Sequence, residues 1–539
     1  MRKLLLLFLP VLLAYSCAQI LSPGGGEKDH TPPKVVHYAP DSAATNFTGK
    51  RVVIRFNEYV QLNDLNNQLI VSPPMREQPD VTIRKKEIVV TFSDTLLPNT
   101  TYTISFGNAI RDITEGNVLE NFRYVFSTGP VIDSMRFSGK VINASTMAGE
   151  KGVLVMLYKN TGDSVPMKQR PYYFAKTNGD GSFQLTNLAS GKYKVFALED
   201  KNQDYLYNNN EERIAFPDQL LDLTSSNVDT LTMRLFNEKP AKQRRTSFNQ
   251  TPGNLSLVYA LPLKNPTITF TPEIPAAMNP FIEKGVNGDS LNIWFSTVTL
   301  DSTVVIVKDD NNFRDSLPLR LLKMNEKKKG MGRGVGVQKP AFSANVQKGQ
   351  NFDPAKTLSI TSSIPIRDFK PQLFTFLQGK DTLRPEIRLS ENKHTLLISQ
   401  TLSPDSNYLL FIPPGAVTDW FGQKNDTLKI NFHTQSTDAY GKLVVKPTGL
   451  PEGKYILQVV TDKDQVIAEK NITGAAPVAF EHLVAGQYRL KLINDTNGNG
   501  KWDTGNYLQQ QQPERVTYYS TPVRMRAGWD MDVEWIFSK

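Results

Sequence analysis

Short runs in which apolar and polar residues alternate, broken by turn residues, constrain this chain more than any other feature. Arg51-Val52-Val53-Ile54-Arg55-Phe56, Glu87-Ile88-Val89-Val90-Thr91-Phe92 and Thr101-Tyr102-Thr103-Ile104-Ser105-Phe106 are typical. A period of two gives an extended segment one apolar face, which a facing sheet must cover. Turns punctuate the runs at Asn178-Gly179-Asp180-Gly181, Ser190-Gly191 and Ala485-Gly486. No apolar period of 3.6 residues lasts beyond two turns. The expectation is an all-β chain, and 539 residues at roughly 150 per domain means several cores in series.

Two internal duplications sharpen this. Leu97-Pro98-Asn99-Thr100-Thr101-Tyr102, with Ile110-Arg111-Asp112 and Phe126-Ser127-Thr128 after it, returns as Leu402-Ser403-Pro404-Asp405-Ser406-Asn407-Tyr408. Val417-Thr418-Asp419 and Phe432-His433-Thr434 follow the second copy at nearly the same intervals. This spells a turn, a strand, a loop whose Asp can bond its own backbone, and a closing strand. The other duplication pairs Phe183, Leu188, Gly191, Tyr193 and Asp200 with Phe480, Leu483, Gly486, Tyr488 and Asp495. Each copy reads as a hairpin with Gly at the turn and a strand running into an acidic loop.

The N-terminus speaks to location. Arg2 and Lys3 precede the apolar run Leu4 to Leu13, then Ala14-Tyr15-Ser16-Cys17. A basic start, about ten apolar residues and small residues at the cut make a secretory signal, too short to span a bilayer. Cys17 is the only cysteine, so no internal disulfide or cysteine-based zinc site can form. It falls where a bacterial lipobox, which this segment resembles, carries its acylated residue. A chance cysteine behind an ordinary signal peptide is the bland alternative. Acylated Cys17, palmitate included, would hold the body to outer-membrane lipid. Ala18 to Pro33 reads as a flexible tether.

Further motifs carry a family resemblance. Gly25-Gly26-Glu27-Lys28-Asp29-His30-Thr31-Pro32-Pro33, Phe56-Asn57-Glu58-Tyr59-Val60, Ser72-Pro73-Pro74 and Phe126-Ser127-Thr128-Gly129 resemble the S-layer-type Ig-like domain at the N-terminus of Bacteroidota lipoproteins. The segments 180–200 and 476–495 resemble the transthyretin-like or carboxypeptidase-regulatory-like sandwich. The resemblance implies tandem Ig-like and transthyretin-like β-sandwiches without a shared enzymatic activity. The expected layout is a signal peptide (1–16), a lipidated tether (17–31), an Ig-like domain (32–129) and a transthyretin-like domain (130–236). A basic linker (237–254), a sandwich assigned by strand pattern alone (255–355), an Ig-like domain (356–436) and a transthyretin-like domain (437–539) follow.

Three patterns offer chemistry. Asp495, Asn497, Asn499 and Asp503 occupy positions 1, 3, 5 and 9 of an EF-hand-like loop, with Gly500 at 6 and the Lys501 carbonyl at 7, but Asn506 replaces the Glu at 12. Asp200, Asn202, Asp204 and Asn208 repeat the spacing with Glu211 at 12, but Tyr205 stands where Gly is expected. Ca2+ would stiffen such loops, and no cofactor is required; the bland reading is an Asx-rich loop bonded to itself. An Asp-Ser/Thr-apolar pattern resembling an O-glycosylation sequon of the same phylum marks Ser42, Thr95, Ser134, Ser164, Thr230, Ser290, Ser302, Ser316, Thr382 and Thr427. A turn residue opening a strand gives the same pattern for mundane reasons.

Basic residues concentrate at 238–245 and 327–336 within a formal charge of +9, as solvated loops or contacts for anionic lipid or glycan. Without interleaved aromatics they do not describe a nucleic-acid site. Five histidines show no metal spacing, and no Gly-x-Ser-x-Gly or His-Glu-x-x-His occurs. The expectation is a non-enzymatic outer-membrane lipoprotein that scaffolds a cell-envelope complex, either β-barrel assembly or nutrient import, with envelope proteins as partners. The alternatives are a surface adhesin or glycan-binding module using Trp294, Trp420, Trp502, Trp529 or Trp535, and an unrecognised hydrolase.

Overall fold

The computed structural model describes residues 28–208, 211–224, 230–240, 242–310, 312–323, 339–346 and 351–537. Strands hold 49% of the residues and helices 4%, the all-β fold expected from the alternation. The described residues divide into two compact units, one falling within 1–143 and 148–235, the other within 144–147 and 236–539.

The first unit contains two sandwiches. In one, Val35–Ala39, Arg51–Phe56, Glu87–Thr91 and Asp80–Arg84 form a sheet in that order and face Ile70–Ser72, Thr101–Gly107 and Phe122–Ser127. A two-stranded ribbon, Val60–Leu62 with Ile110–Asp112, closes one side. The alternation is literal: Val52, Ile54 and Phe56 are buried while Arg51 and Arg55 are exposed. These meet Ile104, Phe106, Tyr124 and Phe126 in one core. Each such side chain contributes about 1.5–3 kcal/mol by leaving water.

In the other, Met135–Asn143 pairs antiparallel with Ser182–Leu188 and parallel with Leu231–Leu235. The facing sheet runs Tyr173–Lys176, Leu154–Tyr158, Lys192–Leu198 and Ile214–Ala215. Leu154–Tyr158 is buried at every position, as expected of a central strand covered on both faces. Outside it Phe196 packs on Tyr207.

The second unit contains three sandwiches. The last repeats the topology just given: Tyr440–Thr448 lies between antiparallel Val478–Val484 and parallel Asp530–Ile536. Its second sheet runs Val466–Thr473, Lys454–Val460, Gly486–Asn494 and Val516–Tyr518. The sandwich before it copies the first of the chain, with Phe342–Ala344, Leu358–Ser362, Thr395–Ser399 and Glu386–Leu389 in one sheet. Thr375–Gln378, Asn407–Ile412 and Leu428–His433 lie in the other, and Ile366–Phe369 pairs with Val417–Asp419 as the ribbon.

The middle sandwich follows the same order, without a ribbon among the described residues. Arg245–Thr251, Asn254–Tyr259, Ser290–Phe295 and Pro280–Lys284 face Thr267–Thr271, Ser302–Asp309 and Phe313–Arg320. Arg245–Thr251, within the stretch read as a basic linker, is thus an edge strand.

Candidate functional site: two acidic loops

Both acidic loops leave the same strand of the same topology, after Lys192–Leu198 and Gly486–Asn494. Both loops turn left-handed at their fourth and sixth positions, Gln203 and Tyr205 in one and Gly498 and Gly500 in the other, and differ in one amide that the leading Asp binds. Asp200 accepts from the amides of Gln203 at 2.8 Å and Tyr205 at 3.0 Å. Asp495 accepts from Asn499 at 3.0 Å and Gly500 at 2.9 Å. The side-chain oxygens of Asn202 and Asp204 accept from Asp204 and Leu206, and those of Asn497 and Asn499 from Asn499 and Lys501.

Tyr205, at the position expected to need Gly, takes φ 66°, against φ 73° for Gly500. A tyrosine pays steric strain in this left-handed region. Its ring gains an edge contact with Phe174 at 5.0 Å, which the glycine in the other copy cannot make.

Each loop closes on a carboxylate beyond the twelve positions of the EF-hand-like spacing. Glu211 is exposed, whereas Glu212 is fully buried and accepts from the Lys201 amide at 3.3 Å. In the second copy the buried Glu514 accepts from the Thr496 amide at 2.7 Å and the Asp503 amide at 3.0 Å. A signal was present: Glu212-Arg213-Ile214 recurs as Glu514-Arg515-Val516. Arg213 then bridges Glu150 and Glu199. Its guanidinium holds the Glu199 carboxyl below the usual range.

The loop centres are filled by donors of the chain. Asn202 and Asn208 turn their amides to Asp204, and Asn497 and Asn499 turn theirs to Asp503. Lys239 lies 2.5 Å from the other oxygen of Asp503. The ammonium and the two amides hold this carboxyl below its ordinary value against the opposing effect of burial. Neighbouring contacts fasten the same segment, since Thr504 donates to the Asn237 carbonyl and the Tyr507 amide to Glu238. Among the described residues no three His, Cys, Asp or Glu side chains converge as a metal site. For calcium to enter the second loop, the asparagine amides must turn over and Lys239 must leave.

The remaining candidates are scattered. Ser42, Thr95, Ser134, Ser164, Thr230, Ser302, Ser316, Thr382 and Thr427 are exposed; Ser290 is half-buried against Gly285. Cys17 and the basic stretch 327–336 lie outside the described residues. Trp420 and Trp535 are buried, Trp294 and Trp502 half-buried, and Trp529 is 59% exposed beside the Arg526 guanidinium. Among the described residues no helix is long and apolar enough to cross a membrane.

Residues 29–128 match the family model of the bacterial Ig-like domain. No curated protein matches the chain. Among solved structures, the Bacillus anthracis TIE protein is similar at 10% identity, over 96% of this chain and 75% of that one, with a TM-score of 0.15. BcpA, the major pilin subunit of Bacillus cereus, is similar at 8% identity over 74% and 99%, TM-score 0.15. The Bacteroides ovatus mixed-linkage glucan utilization locus protein SGBP-B, solved with a mixed-linkage heptasaccharide, is similar at 7% identity over 76% and 93%, TM-score 0.17. Likenesses this remote carry nothing about role.

Proposed function

We propose that the chain is a lipid-anchored, non-enzymatic scaffold of the outer membrane, binding envelope proteins through open sheet edges. The observation that carries this reading is the edge strand Val466–Thr473. Among the described residues it pairs on one side only, with Lys454–Val460, and it exposes Val466 (46%) and Ile467 (44%). Unpaired backbone donors and acceptors beside exposed apolar side chains are what a partner strand needs in order to add to a sheet. The acidic loops fit the same reading as braces that hold strand ends and the Asn237–Lys239 segment, with calcium as an optional stiffener.

The test is affinity purification of the full lipidated chain from solubilised membranes. Barrel-assembly or import subunits are expected with the native chain and lost when Val466 and Ile467 both become Lys with melting unchanged. Equal recovery from both chains would overturn the edge-strand reading. Cys17→Ser separately tests the anchor, and protease shaving of whole cells reports the face. A second reading, glycan binding, is favoured by Trp529 alone. A glycan array that lights up for the native chain and goes dark for Trp529→Ala would replace the scaffold reading.

A further inference from the structure

Between the third and fourth sandwiches, a small polar cluster is closed over by rings. Glu283 projects from strand Pro280–Lys284, and its Oε1 accepts from Trp294 Nε1 and Asn292 Nδ2, both at 3.1 Å. Its Oε2 lies 3.0 Å from Nε2 of His394, in the turn between Glu386–Leu389 and Thr395–Ser399. The two side chains are 11% and 14% exposed. The approach is oblique, an ion pair rather than a linear hydrogen bond. On the opposite side of the ring, Nδ1 lies 2.7 Å from the Ser362 carbonyl.

Both neighbours of this imidazole can only accept. A neutral ring has one N–H and one lone pair, so either tautomer sets a lone pair against an oxygen. Only the imidazolium turns an N–H toward both oxygens and carries the charge that an ion pair with Glu283 needs. Residues of the two sandwiches alternate around it. Trp294 lies 5.8 Å from the His394 ring and 5.9 Å from Phe421. Phe281 lies 5.1 Å from Trp420, whose Nε1 donates to the Asn279 carbonyl at 3.2 Å. The other charged groups on the elements packed here are Lys284, Lys393, Arg367, Asp419 and the exposed Asp368 and Glu391. Lys284 turns to the Leu263 carbonyl, and Lys393 lies over the Phe281 and Trp420 rings. Arg367 sits beside Gly422, and Asp419 accepts from the Phe421 and Gln423 amides.

We propose that His394 and Glu283 form a pH-sensitive clasp between these two sandwiches, shut while the imidazole carries its second proton and released when that proton leaves. Burial disfavours the imidazolium, but the Glu283 carboxylate and the Ser362 carbonyl outweigh it and raise the pKa above its ordinary value of 6.5. A raised pKa means stabilisation that is complete below about 6.5 and lost as pH climbs through the higher folded value. Release leaves Glu283 bonded to Trp294 and Asn292 of its own sandwich, so the joint loosens while both cores stay folded.

Histidine-selective NMR titration of the full chain tests this, with His394→Gln assigning the resonance among five. A His394 pKa above 6.5 is expected, falling in Glu283→Gln. Hydrogen exchange should rise with pH at Pro280–Lys284 and at residues 391–395, relative to the first unit. Each pKa unit removed by Glu283→Gln should move the midpoint of that rise down by one unit, a tenfold change in proton affinity. His394→Gln should exchange at a rate without this step. If either variant fails to fold, the other still reports, and the native titration stands alone. A pKa at or below 6.5, or exchange at the joint that tracks the first unit throughout, would overturn the clasp.

Discussion

The hydroxyl of Tyr408 accepts a hydrogen bond from the Ser403 backbone amide at 2.7 Å, tying the last strand pair of its sandwich to the turn that precedes it. Tyr102 does the same to Leu97 at 2.8 Å. The closing threonines complete both corners: Thr434 donates to the Ser403 carbonyl and Thr128 to the Leu97 carbonyl, each at 2.7 Å. Conversion of either tyrosine to Phe leaves an amide without its acceptor. Tyr102→Phe and Tyr408→Phe should each destabilise their own sandwich by about 1–3 kcal/mol. The sites share no partner, so the double variant should show the sum. Hydrogen exchange resolved by sandwich under denaturant would measure it, and strong non-additivity would contradict separate corners.

Asp112 and Asp419 occupy the same place in two copies and should answer pH in opposite senses. Asp112 accepts from the amides of Glu115, Gly116 and Asn117. Burial opposes its charge, but these three donors outweigh it and hold the carboxyl below 3.8. Asp419 accepts from Phe421 and Gln423, while its Oδ2 is buried without a partner. There burial prevails and the carboxyl is raised above 3.8. A lowered pKa contributes stability above the unfolded value that is lost as pH falls through the folded one. A raised pKa costs stability above the folded value, and that cost fades on acidification. At neutral pH, Asp112→Asn should cost about 1–3 kcal/mol by setting an amide group against the Asn117 N–H. Asp419→Asn should be neutral or stabilising. Melting curves across pH would distinguish them, and equal losses would show that Asp419 is better solvated than its burial indicates.

The sandwiches were legible because alternation and turn residues are local. Val52, Ile54 and Phe56 announce an inward face without knowledge of what covers it. The duplications went further, because Tyr102 and Tyr408 are kept at fixed spacing by a bond to their own turns. The middle sandwich gives no such signal, for among its described residues it lacks the ribbon whose loop aspartate recurs in the other two. In the first loop, position alone puts the closing carboxylate one residue early, at Glu211. Which of two adjacent residues faces inward is set by how Ile214–Ala215 registers on Lys192–Leu198, a tertiary fact. Glu283 and His394 were invisible for the same reason, lying 111 positions apart on separate sandwiches.

Exposure divides the candidate glycosylation hydroxyls. An O-linked sugar needs a side chain that an enzyme can reach in the folded or exported chain. Peptide mapping of the protein from its native host is expected to find glycan on members of the exposed set, such as Ser42, Thr382 or Thr427, and none on Ser290. Ser290 packs against Gly285, where even an added methyl would meet its Oγ at 2.1 Å. An intact mass equal to the bare lipidated chain would dismiss the modification altogether.

Lys239 and a divalent cation compete for one carboxylate. The ammonium already sits on Asp503, and calcium needs that oxygen among its roughly six to eight ligands. Lys239→Met removes the competitor while keeping an unbranched side chain along the same surface. If the second loop takes calcium, this variant should bind it several-fold more tightly than the native chain, with a matching rise in the melting temperature of the last sandwich. The first loop, whose Asp204 is met by asparagine amides, should be unchanged. Calorimetric titration reads both. No binding by either chain would leave Lys239 as the brace, and Lys239→Met should then lower the melting temperature whether or not calcium is present.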